Sequence, residues 1–304
     1  MRLGFVLPHV GPLAGPEALT RVADRAEQVG YDTLWVTERS LWPLDPRTPY
    51  PLGTLAEEYK TVLDPLDSLT FVAARTSRIG LGTCVINLPW YRPVLLARRL
   101  TTIDVLSHGR LRLGVGIGWS RDEHDVAGSD FETRGARFEE AIAVLREIWT
   151  TDPVEFHGAH YDVPRSFIGP KPVQQPCPPI YVGAFAPAAL ERVARIADGW
   201  VAAGFPIAQT GETFARLREA AAAAGRDPDA LELLVRAHVE LHDAPLGDDR
   251  APFAGSPEQV AADLAATAAI GAHESCVDVV FDPTVASVED LLERLDTCYR
   301  LARG

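Results

Sequence analysis

Short apolar runs alternate along this chain with longer stretches whose apolar positions recur every three to four residues. Leu3–Leu7 is the first run, closed by Pro8. Leu19, Val22, Ala23 and Ala26 follow at helical spacing until Gly30 stops them. Thr33–Thr37 reads as the second strand, ending at Glu38-Arg39. The stretch from Ser40 to Leu63, rich in Pro, Gly and aromatics, is too long for a plain connection. Asp64 to Thr76 reads as a helix with Pro65 in its first turn. Then comes Ile79 to Pro89, IGLGTCVINLP, around which the rest is organised.

The same rhythm continues with a helix over Pro93–Ser107, a strand over Arg112–Gly116, a polar loop to Arg134 and a helix over Gly135–Trp149. Thr151 to Pro179 breaks it: Val154-Glu155-Phe156 and His160-Tyr161-Asp162 form a hairpin pattern with a Pro-rich return. Strands are then expected at Ile180–Val182, Gly199–Val201, Leu231–Glu240 and Cys276–Val280. Helices are expected at Pro187–Ala197, Thr213–Ala224, after Ser256-Pro257 as N-cap and first residue, and at Ser287–Leu301. Eight strand-then-helix units imply a mostly parallel sheet. The fold expected is a (β/α)8 TIM barrel with insertion segments, one domain over residues 1–304, with an open doubly wound sheet as the alternative.

In such a barrel the C-terminal strand ends build the active site. Gly82-Thr83-Cys84 puts small residues at one of those ends, leaving backbone open to a flat ring; a tight packing contact would use the same residues. Composition narrows the chemistry. A net charge of -13 argues against nucleic acid as the main partner. No apolar run reaches membrane-spanning length, and the N-terminus reads as a strand, not a signal peptide. Cys84, Cys177, Cys276 and Cys298 lie far apart without a CxxC pair, as expected of reduced thiols in the cytoplasm.

Gly114-Val115-Gly116-Ile117-Gly118 is not a dinucleotide fingerprint, because Trp119 and a polar loop follow where a helix should open. Its glycines still let a ligand approach the strand end. His157 and His160 have no third metal ligand near them, so no metal is expected. Glu57-Glu58 reads as a solvated pair, and no GxSxG elbow exists. Glu38 and Arg39, charged at a strand's C-terminal end, should face the barrel mouth or else pair across its rim. Gly183-Ala184-Phe185-Ala186 leads into a helix N-terminus, where free N–H groups suit an anion.

Taken in order, Leu34-Trp35-Val36-Thr37-Glu38, Gly82-Thr83-Cys84-Val85, the run Leu106 to Trp119, Pro179 to Gly183 and Ala197-Asp198-Gly199-Trp200 resemble the bacterial luciferase-like family. The resemblance spans nearly the whole chain and is closest in wording to the coenzyme F420-dependent branch. It implies a non-proline cis peptide at Cys84–Val85 under an isoalloxazine-type ring. It also implies that Glu38, Thr83, Cys84 and Val85 hold the ring, with Gly116, Gly118, Trp119 and Asp122 along it and its side chain. Gly183, Ala184, Phe185 and Ala186 would take the phosphate. Arg39 stands where relatives often carry a catalytic His. It stays charged, so it suits an anionic cofactor ring or substrate better than proton shuttling. Within the resemblance, Trp119 stands where sugar-phosphate dehydrogenases of the branch carry Glu, and Ile117 stands where the light-emitting members place an Arg near the flavin phosphate.

The implied activity is hydride transfer between F420 and a small organic substrate, with Arg39, Trp42 and His124 as the catalytic candidates. Trp42, Tyr50, Tyr59 and Trp90 are expected to cover the pocket. The alternatives are a two-component FMN monooxygenase supplied by a partner reductase, and a flavin-binding protein without turnover. Family resemblance also implies a homodimer through Leu66–Ala74 and Leu95–Leu106.

Overall fold

The structure, a computed structural model, describes residues 1–51 and 53–304. Leu52, within the stretch expected to cover the pocket, lies outside the described residues. β1 (Arg2–Val6) leads to α1 (Pro16–Val29), β2 (Thr33–Val36), α2 (Pro65–Ala73) and β3 (Gly80–Thr83). β4 (Ile86–Asn87), α3 (Pro93–Leu106), β5 (Leu111–Gly116), α4 (Arg121–Val126) and α5 (Arg134–Thr150) follow. An antiparallel hairpin of β6 (Val154–His157) and β7 (Asp162–Ser166) interrupts the alternation. β8 (Ile180–Gly183), α6 (Pro187–Ile196), β9 (Gly199–Ala203), α7 (Ile207–Ala223) and β10 (Glu232–His238) restore it. A small pairing of β11 (Glu240–Leu241) with β12 (Ala254–Gly255) precedes α8 (Pro257–Ala269), β13 (Glu274–Asp278) and α9 (Val288–Arg303).

The parallel strands run β3-β2-β1-β13-β10-β9-β8-β5-β4, and β3 also pairs with β5, so the sheet closes on itself. β3 and β4 are two halves of one stave, which makes the eight-strand closed barrel of a (β/α)8 fold. The break between them falls at Cys84–Val85, whose peptide bond is cis.

Helix boundaries follow local chemistry. Asp64 caps α2 by accepting from the N–H groups of Leu66 and Asp67. Ser256 with Gln259, and Ser287 with Asp290, close capping boxes on α8 and α9. Three expectations were displaced. The polar loop after Trp119 contains α4, started by Ser120 as N-cap. α7 begins six residues before Thr213, because Gln209, Thr210 and Gly211 hide its periodicity although Thr210 is buried. β13 begins at Glu274 and Ser275, which an apolar-run reading passes over; both are buried. Glu274 tolerates burial because it accepts from Trp35 Nε1 at 2.8 Å and Arg2 Nε at 3.1 Å.

Glycine placement explains how the barrel accommodates its broken stave. A Cβ on Gly82 would run into the Trp35 ring, so the room left at this position is filled by Trp35 inside the barrel. Of the two readings of Gly82, open backbone and tight packing, the structure shows the packing contact. A Cβ on Gly114 would strike the Thr83 carbonyl, and one on Gly116 would sit 2.9 Å from Val85 Cγ2. The glycines of β5 therefore make room for the Thr83–Val85 step. Thr83 fastens the step by donating from Oγ1 to Gly114 O at 2.7 Å and accepting from Gly114 N at 2.9 Å.

Candidate active site

A cavity opens at the C-terminal ends of the strands. Its walls come from Glu38 and Arg39 after β2, Cys84 and Val85 in the broken stave, Gly183 at the end of β8, and Arg236 and His238 of β10. The segment after β2 contributes Tyr50, Leu55 and Tyr59, and Trp119 arrives from beyond β5. α4 anchors this cover. Arg47 donates from its backbone N and Nε to the two Asp122 oxygens at 3.0 Å each, and Ser40 N donates to Glu123 Oε1 at 2.8 Å.

The strand ends carry three distinct electrostatic arrangements. Glu38 accepts from Asn87 N at 2.6 Å, from Asn87 Nδ2 at 3.3 Å and from the Tyr91 hydroxyl. Loss of water around its carboxyl outweighs these bonds and pushes its pKa up to about 7. Arg39 Nη1 lies 2.8 Å from Glu123 Oε2, and its guanidinium stacks 4.6 Å above Trp119. Burial raises the Glu123 carboxyl although Arg39 opposes it.

The third arrangement is a buried Arg-Asp-His cluster. Arg236 donates to Asp278 Oδ2 from Nη2 at 2.6 Å and from Nε at 3.0 Å. His238 Nδ1 lies 3.3 Å from the same oxygen. Burial opposes ionisation of Asp278, yet Arg236 and then His238 hold it below the usual carboxylate range. An imidazole tied to a carboxylate through Nδ1 keeps Nε2 for other partners. Behind this rim, His9 is enclosed: Nδ1 donates to Leu7 O at 2.8 Å and Nε2 accepts from Thr37 N at 2.8 Å. Burial lowers its pKa.

Of the residues singled out in the sequence, Glu38, Arg39, Cys84, Val85, Trp119, Gly183 and Phe185 line the cavity together. Others do not. His124 is enclosed behind Gly118, with Nε2 3.0 Å from Ile117 O and Nδ1 3.2 Å from Ser129 Oγ; it organises the turn after β5. Trp42 donates to Ala56 O at 3.2 Å with the Lys60 ammonium over its ring, so it packs the cover. Asp122 is engaged by Arg47. Thr83, Gly116 and Gly118 act behind the wall, shaping it through their neighbours. Ala184 is buried, with its carbonyl held by Trp200 Nε1 at 3.1 Å, and neither it nor Ala186 reaches the cavity. Trp90 packs 6.0 Å from the His124 ring instead of over the pocket.

Arg236, His238 and Asn87 were not singled out, although they line the cavity. Arg236 and His238 are two apart at the C-terminal end of a strand, so they share its inner face; that period-2 signal was readable. Among the described residues no group of three His, Cys, Asp or Glu is placed to hold a metal ion. Likewise, no helix there is long and apolar enough to cross a membrane.

The strand ends of the closed parallel barrel thus surround a cavity of mixed lining, in which Tyr50, Tyr59, Trp119 and Phe185 are the aromatic walls. The family model described as luciferase-like monooxygenase matches residues 1–245, and the chain belongs to that family. It is 34% identical over 193 residues to an F420-dependent glucose-6-phosphate dehydrogenase of Amycolatopsis mediterranei, covering 62% of this chain and 53% of that protein. The match thus spans about half of that relative's length. A monooxygenase, RslO1, from Streptomyces bottropensis superposes with a TM-score of 0.79 at 24% identity, covering 99% of this chain and 97% of the other. An F420-dependent tetrahydromethanopterin reductase from Methanopyrus kandleri gives 0.77 at 18% identity, covering 97% of each. One backbone therefore serves both chemistries, and the fold does not choose between them.

Proposed function

We propose that this chain is an F420-dependent oxidoreductase acting on a small, flat organic substrate. The observation that carries the reading is the Val85 step, seated in the space that Gly116 and Gly183 leave and forming the floor of the cavity. A Cβ on Gly183 would come within 3.2 Å of Val85 Cγ1, so side chains at these positions would displace the floor. The residues fit a tricyclic ring. Val85 offers an apolar seat, Glu38 and Asn87 offer polar atoms at one edge, and Gly183 and Phe185 line the way towards the α6 N-terminus. Two further points favour F420 over FMN: the sequence similarity to an F420-dependent dehydrogenase, and Ile117 at the position where the resemblance puts an Arg near the flavin phosphate of light-emitting members.

Bound F420 supplies the hydride chemistry at its ring. The chain's own part is placement, exclusion of water and management of the accompanying proton. His238, held through Nδ1 by Asp278, can give or take that proton at Nε2. Tyr50, Tyr59, Trp119 and Phe185 wall the substrate space, which suits a ring-bearing molecule better than a sugar phosphate. We also propose a homodimer: Phe71 (43% exposed), Leu95 (63%) and Leu106 (56%) lie exposed on α2 and α3. The free cysteines are consistent with a cytoplasmic setting, where a reductase would regenerate the cofactor.

Anaerobic titration with F420, reduced F420, FMN and reduced FMN, followed by fluorescence and thermal shift, tests the reading, with oxygen uptake then measured in air. Saturable F420 binding, tighter than FMN, is the expected result. Preference for reduced FMN together with substrate-dependent oxygen uptake would replace it with the two-component monooxygenase.

A further inference from the structure

We propose that Arg39 is a carboxylate receptor and that the substrate is an aromatic or similarly planar carboxylate. This rests on the oxidoreductase reading only for the statement that the bound carboxylate is a substrate. Arg39 has a side chain only 6% exposed, yet it is incompletely used. Nη1 faces Glu123, while Nε and Nη2 are shut off from solvent and have no hydrogen-bond partner among the described residues. Those two nitrogens share one edge of the guanidinium plane, with parallel N–H groups at the spacing of a carboxylate's oxygens. Buried charged donors are costly to leave unpaired, so this edge is where an acceptor belongs.

The edge is also fixed in place. Trp119 lies 4.6 Å below the guanidinium and Tyr59 5.8 Å from it. Glu123, 1% exposed, is pinned by Ser40 N at 2.8 Å and Ser40 Oγ at 3.1 Å. The other charges near the cavity do not oppose an anion strongly. Arg236 and Asp278 cancel each other, and burial opposes ionisation of both Glu123, beside Arg39, and Glu38. A phosphate is disfavoured, since Arg39 offers one two-donor edge and no Lys lines the cavity. Tyr50, 5.3 Å from Trp119, and the ring of Phe185 supply flat walls for the rest of the molecule.

Benzoate and its neutral isostere benzamide, titrated by calorimetry into the full chain with and without F420, test this. Wild type should prefer benzoate by about tenfold or more. Arg39→Gln should abolish the preference, and Arg39→Lys, which keeps charge without the two-donor edge, should retain only part of it. If the single variant fails to fold around an unpaired Glu123, Arg39→Gln/Glu123→Gln removes both charges and carries the same comparison. Equal binding of the two probes by wild type, or a preference that survives loss of Arg39, overturns the proposal. So does loss of F420 affinity with the benzoate preference intact, which would assign the edge to the cofactor ring. A benzoate preference in a protein that binds no F420 would sink the cofactor reading and leave this receptor standing.

Discussion

Replacing Glu38 by Gln should make the protein's stability less sensitive to pH, and the size of the effect follows from the site. The carboxyl ionises near its ordinary value of 4.5 in the unfolded chain and at about 7 in the fold, because burial outweighs the bonds from Asn87 and Tyr91. Below pH 4.5 both states carry the proton and the group contributes no pH dependence. Between the two values only the folded state holds it, so unfolding releases a proton and stability falls as pH rises. The gap between the two values, at about 1.4 kcal/mol per pH unit, gives a total loss of roughly 3 kcal/mol. Part of that is already taken at pH 5, leaving about 2–3 kcal/mol to be lost between pH 5 and pH 8. Glu38→Gln keeps the shape and an acceptor for Asn87 but cannot ionise. Urea unfolding of both proteins at several pH values across this range isolates the term, since every other titrating group is shared. The stability difference should move by about 2–3 kcal/mol in favour of the variant on going from pH 5 to pH 8. A flat difference would refute a raised Glu38, and a shift in favour of wild type would reverse its sign.

Gly114→Ala would push a methyl into the Thr83 carbonyl, so chemical denaturation should show a loss of about 1–3 kcal/mol or more. Asp278→Asn would leave Arg236, whose side chain is 12% exposed, without its counter-charge, at a cost of about 3–5 kcal/mol by the same measurement. His238→Asn should lower kcat by about 10²–10⁴-fold while leaving F420 affinity unchanged; parallel losses in both would give His238 a structural role only. Leu95→Asp with Phe71→Asp should convert a sedimenting dimer to monomer, and a wild-type monomer at micromolar concentration would contradict the assembly proposed for α2 and α3.

Much of this architecture was legible before any coordinates. The alternation of strands and helices, the Pro and Ser helix starts and the Gly30 stop all act locally, and local chemistry is what a sequence displays. Buried polar strand positions such as Glu274 were hidden because their partners, Arg2 and Trp35, lie more than two hundred residues away in the chain. The site was legible in part for the same reason. Glu38 and Arg39 end a readable strand, and Val85 belongs to a recognisable stretch. His124 and Trp42 looked available because a polar or amphipathic side chain near a strand end carries no mark of direction. The turn after β5 draws His124 inward onto Ile117 O, and the cover folds Trp42 onto Ala56. Arg236 and His238 carried a readable period-2 signal, but their shared partner Asp278 lies on the neighbouring strand some forty residues on.

The central claim is that a deazaflavin ring rests on Val85 between Glu38 and Gly183. A crystal structure of the protein soaked with F420 tests it most directly. Ring density over Val85, with a polar edge towards Glu38 and Asn87 and the chain leaving past Gly183, is the predicted result. Clear density for the cofactor elsewhere, or an empty cavity at saturating F420, would contradict it.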